Sequence, residues 1–171
     1  FAFAGIFAPI FSEHYFKKNT DGMKESYQSS SKYILAFSLP VFIFLFIFSK
    51  PMLLVFGVEF QNYFALKVLL LGIFIQTIFG LGSSTLTMSG YTKFNLLNVS
   101  IALVLNIISN SILIPLYGLT GAAIATSFAL IVLSTLRYFE NLILINLNLF
   151  SSKLIKPIIS GVITFIIIQY L

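Results

Sequence analysis

From Phe94 to Leu136 the chain runs 43 residues without a Lys, Arg, Asp, Glu or His, and the run is interrupted only between Pro115 and Gly121. An α-helix rises ~1.5 Å per residue and the hydrocarbon core of a bilayer is ~30 Å thick, so ~20 apolar residues cross it once. Two crossings fit. Phe94 to Ile114 supplies the first and Leu119 to Leu136 the second, with Pro115, Gly118 and Gly121 where a helix has to stop and reverse. The pattern predicts a membrane hairpin.

Composition points the same way. Of the 171 residues 58% are hydrophobic and 9% charged, too few polar groups to clothe a soluble globule. The net charge of +5 is not gathered into a dense basic run, which argues against nucleic acid as a partner. There is no cysteine, so disulfide frameworks, thiolate metal sites and cysteine nucleophiles are excluded. Trp is absent too, which leaves Tyr and Phe to serve any interfacial belt. The chain opens inside an apolar run and not with a secretory signal, so it reads as a piece whose start lies upstream.

Taken in order, residues 1–11 read as the end of a truncated transmembrane helix and 12–32 as a wet cytoplasmic loop, in which Asp21 caps a short surface helix. Residues 33–140 hold four crossings. The first, from Tyr33 to Ser49, carries Pro40 near its middle, where a kink is expected. A short interfacial segment follows, then Phe64 to Ser89, then the two arms of the hairpin. Residues 141–153 read as an interfacial segment and 154–171 as a further crossing cut off by the chain end. The fold class is therefore all-α, a polytopic transmembrane helix bundle.

Strict alternation places the loops 12–32, 90–93 and 137–156 on one side, and these contain eight of the ten basic residues. Lys and Arg accumulate on the cytoplasmic side of inner-membrane proteins, so that side is read as cytoplasmic. Lys50 and Lys67 fall on the other.

Function has to come from polar residues that lipid would reject. On the helix from Phe94 to Ile114, Asn95, Asn98, Asn106, Ser109 and Asn110 share an arc of roughly 120°. Such a stripe either hydrogen-bonds a neighbouring helix or lines a hydrophilic transport cavity. Gln76, near mid-span in the preceding helix, joins that cavity or bridges helices. Lys67 snorkels to the headgroups or meets an anionic substrate. Arg137 and Glu140, three apart at a helix end, form an ion pair in the simplest reading; at the mouth of a cavity Arg137 would instead meet a phosphate. The candidate cavity residues are thus Gln76, Asn98, Asn106, Asn110, Lys67 and Arg137. Gly121, Ala125 and Ala129, flanked by Gly118, Ala122 and Thr126, form a small-residue face for close helix packing. His14 reads as a solvated lone histidine. No phosphate loop, metal-ligand cluster, nucleophile elbow or carboxylate pair is present, so neither an enzyme nor a cofactor is expected.

Several stretches carry a family resemblance. They are Pro9-Ile10 ahead of a polar loop, Ser38 to Pro40 opening a Phe-rich helix, Phe56 to Phe60, Met88 to Lys93, and above all Asn106 to Thr126. Together they resemble the C-terminal half of the polysaccharide repeat-unit flippases, in the multidrug/oligosaccharidyl-lipid/polysaccharide exporter superfamily. The resemblance implies the C-terminal half of a two-bundle transporter that carries a polyprenyl-diphosphate-linked oligosaccharide across the cytoplasmic membrane by alternating access. Its partners would be that lipid-linked substrate, membrane lipids and the N-terminal bundle of the same chain. The alternatives are a cation-coupled multidrug exporter of the same superfamily, or a polytopic polysaccharide polymerase or glycosyltransferase.

Overall fold

The computed structural model describes residues 2–57, 62–149, 157, 159–161 and 163–165. Seven helices are assigned among them: α1 Ala2–Phe16, α2 Thr20–Ile47, α3 Ser49–Val55, α4 Tyr63–Ile78, α5 Gly82–Met88, α6 Thr92–Tyr117 and α7 Leu119–Leu144. Four stretches are long and apolar enough to cross a membrane: Thr20–Ile47, Tyr63–Met88, Thr92–Tyr117 and Leu119–Leu144. The long helices pack in a row, α2 on α4, α4 on α7 and α7 on α6, while α1 and α5 close one end.

The hairpin forms as the sequence predicts, with a tighter corner. Pro115 stays within α6, two residues short of its last residue, and the chain reverses at the single residue Gly118. There φ is +56°, a conformation that L side chains rarely adopt. Beyond the corner, a Cβ on Gly121 would land on the Leu113 backbone carbonyl, so only glycine lets the two helices come this close. On the other side of α7 a Cβ on Gly72 of α4 would lie 2.6 Å from the Ser127 Cα. Ser127 Oγ donates to the Val68 carbonyl across that contact at 2.9 Å.

Three boundaries differ from the sequence reading. The segment 12–32 is not a loop: α1 continues to Phe16, and α2 begins at Thr20. Asn19, not Asp21, is the cap, its side chain accepting from the Gly22 N–H at 3.0 Å. Helix wins because Met23, Tyr27 and Leu35 recur on one face and bury against Phe7 and Phe11 of α1. At 28 residues α2 is ~42 Å long and outreaches the hydrocarbon, so its polar first turns remain wet. It runs unbroken through Pro40. His14 lies partly exposed beside this cap, its Nδ1 3.4 Å from Asn19 Nδ2.

The predicted crossing from Phe64 to Ser89 is interrupted, because α4 ends at Ile78 and α5 begins at Gly82. Just past the interruption, Asn141 of α7 binds the first turn of α5. Its Nδ2 donates to the Gly82 carbonyl at 3.0 Å, and Thr85 Oγ1 donates to its Oδ1. Asn141 is 0% exposed. It therefore does not open an interfacial segment, since α7 continues to Leu144. Past that helix the chain turns at Asn146, with φ of +58°, and sinks Leu147 and Leu149 into the cluster of Phe7, Phe11, Tyr27 and Leu35. Those leucines face protein and not headgroups because α1 and α2 leave an apolar cleft there. Of the predicted crossing 154–171 most residues lie outside the described set, as do Val58 to Gln61 in the interfacial segment.

Candidate transport surface

The asparagine stripe predicted on α6 exists as one face, and α7 supplies its partners. At mid-span Asn110 Nδ2 donates to Asn106 Oδ1 at 2.9 Å, and Asn106 Nδ2 lies 3.5 Å from Thr126 Oγ1 of α7. Both asparagines are half-buried. The Asn110 Oδ1 is buried and has no hydrogen-bond partner among the described residues. An unmet buried acceptor is unfavourable by ~1–3 kcal/mol, which makes this pair the polar feature of the span that packing leaves unexplained.

Nearer the start of α6 the stripe is fully engaged. Asn98 is 1% exposed, and its Nδ2 donates to Glu140 Oε2 at 2.5 Å. Arg137 Nε donates to Asn95 Oδ1 at 3.0 Å. Asn95 in turn donates to Ser83 Oγ of α5 at 3.0 Å, which joins three helices in one network. Arg137 and Glu140 are thus each held by an asparagine and do not form the ion pair expected from their spacing on one helix. Among the described residues the ion pair present is Lys17–Glu13, at 2.6 Å. There Lys17 holds the Glu13 carboxyl below its ordinary range through a hydrogen bond and its charge.

Two candidates sit elsewhere. Gln76 and Lys67 belong to α4, on the far side of α7 from α6. The Lys67 ammonium lies 5.1 Å from the ring centre of Phe46 and 5.9 Å from that of Tyr63, a cation–π arrangement. Gln76 is half-buried and makes no side-chain hydrogen bond among the described residues. The structure gathers Arg137 and Asn98 at the start of α6 and Asn106 with Asn110 further along the same helix, and it separates all four from Lys67 and Gln76. Sequence reasoning missed Thr126 and Glu140 as partners. Thr126, four residues past Ala122 on a small-residue face, carried a signal only as a hydroxyl among alanines and glycines.

Between α2, α4 and the described part of the last helical stretch lies an apolar groove of about 450 Å³, lined by Leu39, Phe42, Phe46, Phe74 and Phe165. Phe42 and Phe74 stack across its floor with ring centres 4.3 Å apart. The surface therefore offers an amide-bearing side on α6 and a hydrocarbon-like side on α2 and α4.

The MatE family model matches residues 7–112. The chain belongs to the MatE family. That places it in the multidrug/oligosaccharidyl-lipid/polysaccharide exporter superfamily of multi-pass membrane transporters, as the resemblance implied. None of the curated proteins matches its sequence. Among solved structures its fold is similar to "Lipid II flippase MurJ, inward closed conformation", with a TM-score of 0.76 and 21% identity. The match covers 99% of this chain and 38% of that one. The MatE chain described here thus spans well under half the length of that transporter and adopts the corresponding part of its fold.

Proposed function

We propose that this chain is the C-terminal bundle of a flippase that moves a polyprenyl-diphosphate-linked oligosaccharide repeat unit across the cytoplasmic membrane. The observation that carries the reading is the Asn106–Asn110 pair, placed mid-span with one amide oxygen unmet. A sugar headgroup crossing a bilayer needs amides along its path, whereas its hydrocarbon tail needs only apolar surface such as the groove of α2 and α4. The N-terminal bundle would supply the facing wall, and rocking of one bundle against the other would open that wall to each side in turn. The clustering of Lys and Arg in the segments 12–32, 90–93 and 137–156 supports a cytoplasmic start of α6.

A cation-coupled multidrug exporter is the second reading, and Glu140 is the observation that favours it. Coupling sites need a carboxylate, and Glu140 is the one between Tyr63 and Leu144. Its oxygen is already taken by Asn98 at 2.5 Å, which weighs toward the flippase.

The test is complementation with the full-length gene in cells that lack their repeat-unit flippase and accumulate the lipid-linked intermediate. Restored polysaccharide export is expected, and export abolished by Asn106→Leu with normal protein levels would tie the activity to the pair. Continued accumulation with wild-type protein present, together with energised efflux of a cationic dye, would replace the flippase with the exporter. Cysteines at Asn106 and Asn110 should react with a membrane-impermeant maleimide, while those at Ile101 and Leu105 stay protected.

A further inference from the structure

Arg137 is the single arginine in the sequence, and the way it is held is unusual. On α7, Glu140 lies nearer the helix end at Leu144 than Arg137 does. On α6, Asn95 lies in the first turn and Asn98 ~4.5 Å further along the axis. In an antiparallel hairpin the direct matches would be Arg137 with Asn98 and Glu140 with Asn95. The observed bonds cross: Arg137 reaches outward to Asn95 and Glu140 reaches inward to Asn98. The crossing carries the guanidinium toward the rim of the bundle and leaves the Glu140 carboxylate nearby but not paired with it.

The Asn95 amide is oriented by its own donors, because Nδ2 faces Ser83 Oγ at 3.0 Å and Thr87 Oγ1 at 3.4 Å. Its Oδ1 is thereby fixed toward Arg137 Nε, and the guanidinium plane is pinned by one edge. The two terminal nitrogens of Arg137 have no hydrogen-bond partner among the described residues. Lys93 is exposed in the same first turn of α6, which holds no acidic residue. A half-buried guanidinium with a fixed edge and an open fork is matched to an oxyanion with two oxygens.

We propose that Arg137, pinned by Asn95 and assisted by Lys93, binds a phosphate group at the membrane rim. Two sources share that chemistry, a phospholipid headgroup and a lipid-linked diphosphate. The site stands on the membrane placement of the hairpin and not on the identity of any transported sugar.

The test uses the full-length protein in detergent and native mass spectrometry with two probes, farnesyl diphosphate and dioleoyl phosphatidylglycerol. Farnesol and dioleoylglycerol serve as the phosphate-free controls. Arg137→Gln should weaken binding of a phosphate probe ~10-fold, and Arg137→Lys and Asn95→Leu about 3-fold, since a point charge or an unpinned fork loses the paired geometry. Glu140→Gln should leave binding unchanged or tighter. An effect on farnesyl diphosphate alone assigns the site to a lipid-linked diphosphate, one on phosphatidylglycerol alone to the bilayer headgroup, and one on both to phosphate without discrimination. Wild-type affinity of Arg137→Gln for both probes overturns the proposal. On wild-type protein, where folding is not in question, a phosphate probe should slow phenylglyoxal modification of Arg137, read on its peptide; unchanged modification overturns the proposal equally. Phosphate binding that survives in a protein unable to export polysaccharide would leave this site standing and remove the flippase reading.

Discussion

The α6–α7 hairpin is joined differently at its two ends. At the corner the helices touch through an atom that is missing, since Gly121 sits against the Leu113 carbonyl, while Gly118 supplies the positive φ that reverses the chain. One side-chain bond reinforces that end, from Asn62 Nδ2 ahead of α4 to Thr120 Oγ1 at 2.9 Å. At the opposite end the helices are held through atoms that are present, with Asn95, Asn98, Arg137, Glu140 and Asn141 exchanging hydrogen bonds among α5, α6 and α7. A backbone contact has one permitted distance, while a hydrogen-bonded network can trade partners. Under the proposed function, a bundle that rocks as a unit is best served by a rigid corner, and any rearrangement belongs at the amide end.

The largest effect should therefore come from the corner. Gly121→Ala places a methyl on a backbone carbonyl that cannot rotate away, so α6 and α7 have to separate. Overpacking of this kind destabilises by about 3 kcal/mol, visible as a lowered unfolding midpoint of the full-length protein in detergent. A midpoint unchanged by the methyl would mean that the corner yields and that the two ends are mechanically alike. Gly72→Ala, against Ser127, should show a similar loss at the α4–α7 contact.

Next in size is the stitch between α7 and the first turn of α5. Asn141→Ala removes donors to the Gly82 and Arg137 carbonyls and an acceptor for Thr85, all inside the bundle. About 2 kcal/mol is expected, together with faster hydrogen exchange confined to Gly80 through Met88. Exchange that quickens uniformly along α4 and α5 would show that Asn141 supports both helices and not α5 alone. Asn98→Leu should matter less, by about 1 kcal/mol, because interhelical polar contacts in membranes are modest and Glu140 can turn toward the wet rim. Glu140→Gln retains an acceptor for Asn98 and should be close to neutral in stability.

Which of these positions could be read from the sequence follows from the range of the forces involved. Hydropathy and glycine placement act along one helix, so four apolar spans, a corner somewhere between Pro115 and Gly121 and the small-residue face of α7 were legible. The asparagine face of α6 was legible for the same reason, since periodicity reports which residues share a side. What they bond to was not, because Thr126 and Glu140 lie on a different helix and no local pattern encodes the pairing. The expected Arg137–Glu140 ion pair failed on this point: spacing on one helix predicts a local pair, and two asparagines on the next helix outcompete it. The polar look of residues 12–32 hid a helix because its buried positions, Met23, Tyr27 and Leu35, are sparse among Lys, Ser and Glu. Lys67 was placed on the right helix, yet its rings come from Phe46, some twenty residues earlier, and from Tyr63 one turn before it.

The smallest effect expected calibrates the amide end. Lys17 and Glu13 form an exposed pair one helical turn apart, outside both ends of the hairpin. The Glu13 carboxyl is held below its ordinary range in the folded chain, first by the hydrogen bond from Lys17 and then by its charge. A group depressed in this way adds stability above its unfolded pKa and loses that addition as pH falls through the folded one. For a pair this open to water the contribution is screened, so Lys17→Ala should leave the unfolding midpoint unmoved at neutral pH and in acid alike. If Asn98→Leu proves equally silent, the crossed bonds around Glu140 are as weak as a solvated contact, and the amide end holds the hairpin no better than the surface does. A measurable gap between the two variants would instead give the network its own share of the bundle's rigidity.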